Sequence, residues 1–169
     1  MSPGPFALRI QHGTMSYPLS GEMLSDSHTG IVGGFVPPNP SAVHDLTLEA
    51  QDSTPHILLL SQFPSDPAAQ PLKPKNIPVS EDTTSLVKEL EGILRKLPKE
   101  DVPLTDIYGR NIGIFWQGPD GFEWVNSAPQ GCGAFEGSTV ITEDDKKAFD
   151  RAVEITEVLV KRGVVEEGT

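Results

Sequence analysis

Apolar and polar positions alternate over the first segment of the chain, where Phe6, Leu8 and Ile10 fall on one side, and this predicts an opening strand ending at His12. Thr14 to Met23 predicts a second strand, which Pro18 confines to an edge. Turn formers then surround a short apolar patch, Ile31 to Val36, and Pro37, Pro38 and Pro40 keep its exit extended. In Val43 to Ala50, Leu46 and Leu48 alternate with Thr47 and Glu49, and His56 to Phe63 is a short continuous apolar strand. A turn at Gln51 to Thr54 joins the two as an antiparallel hairpin. In that register Ala50 pairs with Pro55 and His44 lies opposite Ser61.

The period changes further on. From Ser80 or Asp82 to Lys96, the residues Leu86, Leu90, Ile93, Leu94 and Leu97 recur at helical spacing, with acidic residues at the start, Arg95 and Lys96 at the end, and Pro98 as the stop. A second helix starts after Thr142 as N-cap, followed by Glu143, Asp144 and Asp145. Its buried positions are Phe149, Ala152 or Val153, Thr156, and Leu159 or Val160, and Gly163 ends it. Between the helices lies an aromatic hairpin. The order of elements predicts an α+β fold, an antiparallel sheet of about five or six strands with two amphipathic helices packed on one face. The chain reads as a single domain over residues 1–169, with a proline-rich surface tether at 64–78 and a C-terminal tail at 164–169 outside the folded body.

The hairpin has the most specific local chemistry. In Gly118-Pro119-Asp120-Gly121, proline presets φ for a type I turn, and Gly121 can take the left-handed conformation that closes a bulged hairpin. The register that follows sets Gln117 against Glu123 and Trp116 against Trp124, with Ile114 and Asn126 on the tryptophan side. Phe115 and Val125 pair on the opposite face. Large apolar groups thus occupy both faces of one ribbon. Two readings stay open: both faces are covered inside the fold, or one presents an aromatic patch to a partner. On the second reading the candidate binding residues are Trp116, Trp124, Phe122, Gln117 and Asn126.

Composition narrows the partners. A formal net charge of −11 with scattered basic residues argues against nucleic acid, whose phosphates need clustered Lys and Arg. Anionic membrane surfaces are disfavoured for the same reason, and no apolar run is long enough to span a bilayer. The segment Met1 to Gly13 lacks the charged and apolar regions of a signal peptide, and the lone Cys132 excludes an internal disulfide, so a cytoplasmic setting is expected.

Candidate chemistry is sparse. Cys132 in Gln130-Gly131-Cys132-Gly133-Ala134 is a weak thiol candidate, because no sequence neighbour would lower its pKa. The glycines Gly131, Gly133 and Gly137 miss the dinucleotide spacing, and the acidic start of the next helix would repel a phosphate. His44 and His56 fall far apart along their ribbon, and His12 and His28 add no ligand spacing, so neither a metal nor a cofactor is expected. Asp144 with Asp145 reads as a helix start, and Glu166 with Glu167 as a solvated tail. Gly33-Gly34-Phe35, the leucine-rich helix closing at Leu94 to Pro98, the hairpin and the final helix together form a layout similar to that of emfourin-type inhibitors of thermolysin-like proteases. The proline tether and the tryptophan hairpin depart from that pattern, so the likeness carries over no residue's role.

The sequence therefore reads as a small acidic, non-catalytic binding or adaptor protein that engages a protein partner or a second copy of itself through the 116–124 ribbon, with the 31–38 loop as a further element. An enzyme with a small-molecule pocket between the sheet and the Gly131–Gly137 loop, lined by Asn126, Gln130 or His44, is the alternative. A protease-inhibitor-like module is the third option.

Overall fold

A computed structural model describes residues 3–13, 40–49, 55–64, 66, 68, 72–99, 106–126 and 139–165. Six strands form one sheet: β1 (Phe6–His12), β2 (Ala42–Leu48), β3 (His56–Gln62), β4 (Lys75–Pro78), β5 (Ile112–Gln117) and β6 (Glu123–Val125). Their spatial order is β4-β3-β2-β1-β5-β6, with every neighbouring pair antiparallel. Two helices complete the fold, α1 (Glu81–Leu94) and α2 (Glu143–Lys161). The architecture is α+β, as the change of period along the chain implies.

Strand alternation divides the sheet into two faces. Cα partners share a face, so Leu59, Leu46, Leu8, Trp116 and Trp124 form one row across five strands. All five are buried. They belong to a single hydrophobic cluster with Val87, Leu90 and Leu94 of α1 and with Phe149, Ala152, Ile155 and Leu159 of α2. Burial of this surface is the main driving force for the fold.

Both helices start where the sequence places them. Ser80 caps α1, its hydroxyl accepting from the Thr83 N–H. Thr142 caps α2 in a full capping box, giving and taking bonds with Asp145. The buried stripe of α1 is rotated from the predicted one: Thr83, Thr84 and Val87 join Leu90 and Leu94, while Leu86 and Ile93 are half-buried. Arg95 forms the C-cap rather than the last turn. On α2 the buried set is Phe149, Ala152, Ile155, Thr156 and Leu159.

Two other expectations need correction. The last four residues of the 64–78 stretch form β4, the sheet's edge strand, where Pro78 is tolerated. Val164 is no free tail residue, since it exchanges two backbone hydrogen bonds with Asn76 and so covers that edge. Gly163 makes this possible by close approach: a Cβ there would stand 2.7 Å from Leu59 Cδ2 and 3.1 Å from Lys75 Cβ. Thr14 to Met23, the 31–38 loop, the Gln51–Thr54 turn and residues 166–169 lie outside the described residues.

Candidate functional site

The hairpin forms in the register its turn dictates. Gly121 has φ of +78°, Gly118 N–H donates to Phe122 O at 2.8 Å, and Phe115, Trp116 and Gln117 pair with Val125, Trp124 and Glu123. The neighbouring strand then decides which side is covered. Opposite Trp116 and Ile114, β1 sets Leu8 and Ile10, and opposite Phe115 it sets Arg9. The tryptophan side is the core side.

Both tryptophans are 1% exposed. Phe6 stacks on Trp116 with ring centroids 5.0 Å apart. Trp124 joins Tyr108 and Phe149, which stack on each other at 4.3 Å, and its Nε1–H donates to Leu97 O at 3.3 Å. Tyr108, which the hydrophobic pattern does not single out, donates its hydroxyl to Pro98 O, and burial raises its phenol pKa well above the ordinary tyrosine value. Asn126 is also buried: its Oδ1 accepts from Ile114 N–H at 2.7 Å and its Nδ2 donates to Ile112 O at 3.0 Å. It extends the ladder beyond β6 by a side chain. Phe122 is half-buried beneath the Arg95 guanidinium, 4.2 Å from the ring centroid, while Gln117 is exposed and donates to Glu123. Of the five residues read as a binding surface, three are therefore in the interior and two remain at its margin.

The opposite face of the sheet is the accessible one. One row across it runs Leu60, Asp45, Arg9, Phe115 and Val125, and the next runs Asn76, Leu58, Thr47, Ala7, Gln117 and Glu123. Leu58, Leu60 and Phe115 are each between 37% and 38% exposed. In the middle, Arg9 Nε donates to Asp45 Oδ1 at 2.6 Å and Nη2 to Oδ2 at 3.1 Å. That fork holds the arginine's pKa above its ordinary value, chiefly through the hydrogen bond to Asp45. Ala7 and Gly113 are small, and they leave a shallow hollow of about 460 Å³ floored by Ala7, Arg9, Asp45, Thr47, Phe115 and Val125. Arg9 and Asp45 cancel, so the centre of this face is close to neutral, with Glu123 at its margin, although the chain as a whole is strongly acidic.

A second hollow, of about 410 Å³, lies where the ends of β1 and β2 meet α2, between His12, His44, Ser41, Glu157 and Lys161. His12 comes within 6.3 Å of His44, centroid to centroid, because β1 pairs with β2 across a long stretch of chain. His44 Nδ1 bonds the Ser61 hydroxyl at 2.8 Å, from the cross-strand position the hairpin register implies. Asn126 shares the same row but stands three strands away, about 14 Å at the usual spacing, so the two do not converge on one ligand. Among the described residues, no three His, Cys, Asp or Glu side chains gather as metal ligands. Gln130, Cys132, the Gly131–Gly137 loop and His28 lie outside the described residues.

Burial holds His44 below the ordinary histidine value of 6.5; His12 and Lys75 act in the same direction, and Asp45 and Glu157 oppose them. The unfolded chain then binds this proton more readily than the folded one. The stability His44 contributes is complete above pH 6.5 and is lost as the pH falls below it. Urea titrations about one pH unit either side of that value should show the protein weaker on the acid side, and His44→Gln should flatten the difference. An unchanged slope in the variant would assign the effect elsewhere.

Set against protein-family models, curated proteins and solved structures, the chain matches none. No helix among the described residues is long and apolar enough to cross a membrane.

Proposed function

We propose that this chain is a non-catalytic binding protein, an adaptor that engages a protein partner or a second copy of itself through the outward face of its sheet at the aromatic hairpin. The observation that carries this reading is Phe115 paired with Val125 beside a near-neutral hollow, on a face that still exposes Leu60 in the same row and Leu58 in the next. Exposed apolar side chains on either side of the Arg9–Asp45 pair, with a polar margin supplied by Gln117, Thr47 and Gln11, are what a recognition surface needs. The lack of net charge at the centre of this face favours a partner that is itself apolar at the contact, and the Glu123 carboxylate at its margin disfavours nucleic acid. A single cysteine suits a reducing, cytoplasmic setting.

Phe115→Asp tests the reading. The side chain is partly exposed, so the fold should survive, which circular dichroism and thermal unfolding would verify. Partners cross-linked to the wild-type protein, or its own dimer measured by light scattering against concentration, should weaken at least tenfold in the variant. An exposed substitution on α2, Lys147→Ser, should leave them intact. Equal recovery with Phe115→Asp would remove the outward face from consideration.

A further inference from the structure

The outward face of the sheet has two unlike halves that complement each other. Its central row runs Leu60, Asp45, Arg9, Phe115 and Val125 across β3, β2, β1, β5 and β6. On either side of a line between β2 and β1, an acid stands against a base and a leucine against a phenylalanine. The relief differs in the same sense. Leu58 and Leu60 on β3 are 37% and 38% exposed, whereas Ala7 on β1 and Gly113 on β5 leave the hollow of about 460 Å³.

Such a face can cover itself. A half-turn about an axis parallel to the strands, between β1 and β2, keeps each row in place and exchanges the halves. Arg9 then lies over the partner's Asp45, and Leu60 over the partner's Phe115 beside the hollow. In the next row Glu123 lies over Asn76 and not over another carboxylate. An axis across the strands through the central row would instead stack Arg9 on Arg9 and Asp45 on Asp45, which like charges oppose. Covering an ion pair costs its hydration unless new bonds replace the water. The fork uses only two of the five N–H donors of Arg9, whose side chain is 55% exposed, so a reciprocal quartet can supply them. We propose that the partner of this face is a second copy of the chain, held in a two-fold sheet-to-sheet dimer by reciprocal Arg9–Asp45 pairing across the axis. Facing sheets sit about 10 Å apart with strands within about 30° of each other, a gap that leucine and phenylalanine side chains fill. The dimer rests on the outward face being the recognition surface.

Sedimentation equilibrium tests the pairing at about 0.15 M salt, which screens the repulsion between two chains of −11 beyond about 8 Å. The wild-type protein should dimerise. Arg9→Glu or Asp45→Lys alone should weaken the dimer at least about tenfold, because each sets like charges across the axis. Mixed in equal amounts, the two variants should restore it, since every carboxylate then faces a cation. A single reversal barely offsets −11, so net charge cannot draw them together. Leu60→Lys, which leaves the ion pair in place, should weaken the dimer as well, with circular dichroism verifying each fold. Folded variants that do not recover on mixing, or an undiminished dimer in Leu60→Lys, overturn the proposal. A wild-type chain that stays monomeric while a different cross-linked protein depends on Phe115 also overturns it, and leaves the outward face its role. If no association depends on Phe115, both readings fall.

Discussion

Trp124→Ala should lower the unfolding free energy by about 3–5 kcal/mol, the range for truncating a large aromatic side chain in a close-packed core. The indole touches Tyr108 and Phe149 on one side and donates to Leu97 O on the other, so truncation opens a void and leaves a carbonyl without its bond. For a domain whose whole stability is of order 5–15 kcal/mol, this is a large share. Phe115→Ala, one residue from Trp116 but on the accessible face, should cost under about 1 kcal/mol. Urea unfolding of both variants measures the contrast. Comparable losses at the two positions would mean that both faces of the ribbon are covered.

Asn126→Leu should cost about 2–4 kcal/mol although it adds an apolar side chain to the interior. The change strips Ile114 N–H of its acceptor and Ile112 O of its donor, and each orphaned buried group costs about 1–3 kcal/mol. Hydrogen exchange at Ile114 should accelerate selectively, because its amide bonds only to this side chain in the ladder between β5 and residue 126. If stability is retained and only partner binding falls, Asn126 is a recognition residue after all.

Much of the fold was legible in local chemistry. The turn Gly118 to Gly121 fixes its own strands' register, and the hairpin of β2 and β3 sets His44 opposite Ser61 in the same way. Ser80 and Thr142 mark their helices because capping is a matter of a few adjacent residues. What was not legible depends on non-local pairing. The ribbon carries apolar groups on both faces, and only the approach of β1 settles which is covered, with Leu8 and Ile10 on one side and Arg9 on the other. Likewise β4 sits in a proline-rich stretch that reads as a tether, and becomes a strand through pairing with β3 and with Val164. Tyr108 gave no periodic signal, since it lies in a loop and is buried by the helix that follows. His12 met His44 through the same long-range pairing of β1 and β2.

At the candidate site, the sequence marks the ribbon but leaves its covered face open. The tryptophans drew attention because large aromatics dominate both cores and interfaces. Here they serve the core. The plainer residues Phe115 and Val125, with Arg9 and Asp45 beside them, form the face that remains open.

Hydroxyl-radical footprinting read by mass spectrometry tests that assignment most directly. Phe115 should be oxidised readily in the folded protein, while Trp116 and Trp124, intrinsically the more reactive side chains, should stay protected until the protein unfolds. Labelling of both tryptophans at native conditions, with Phe115 spared, would contradict the account.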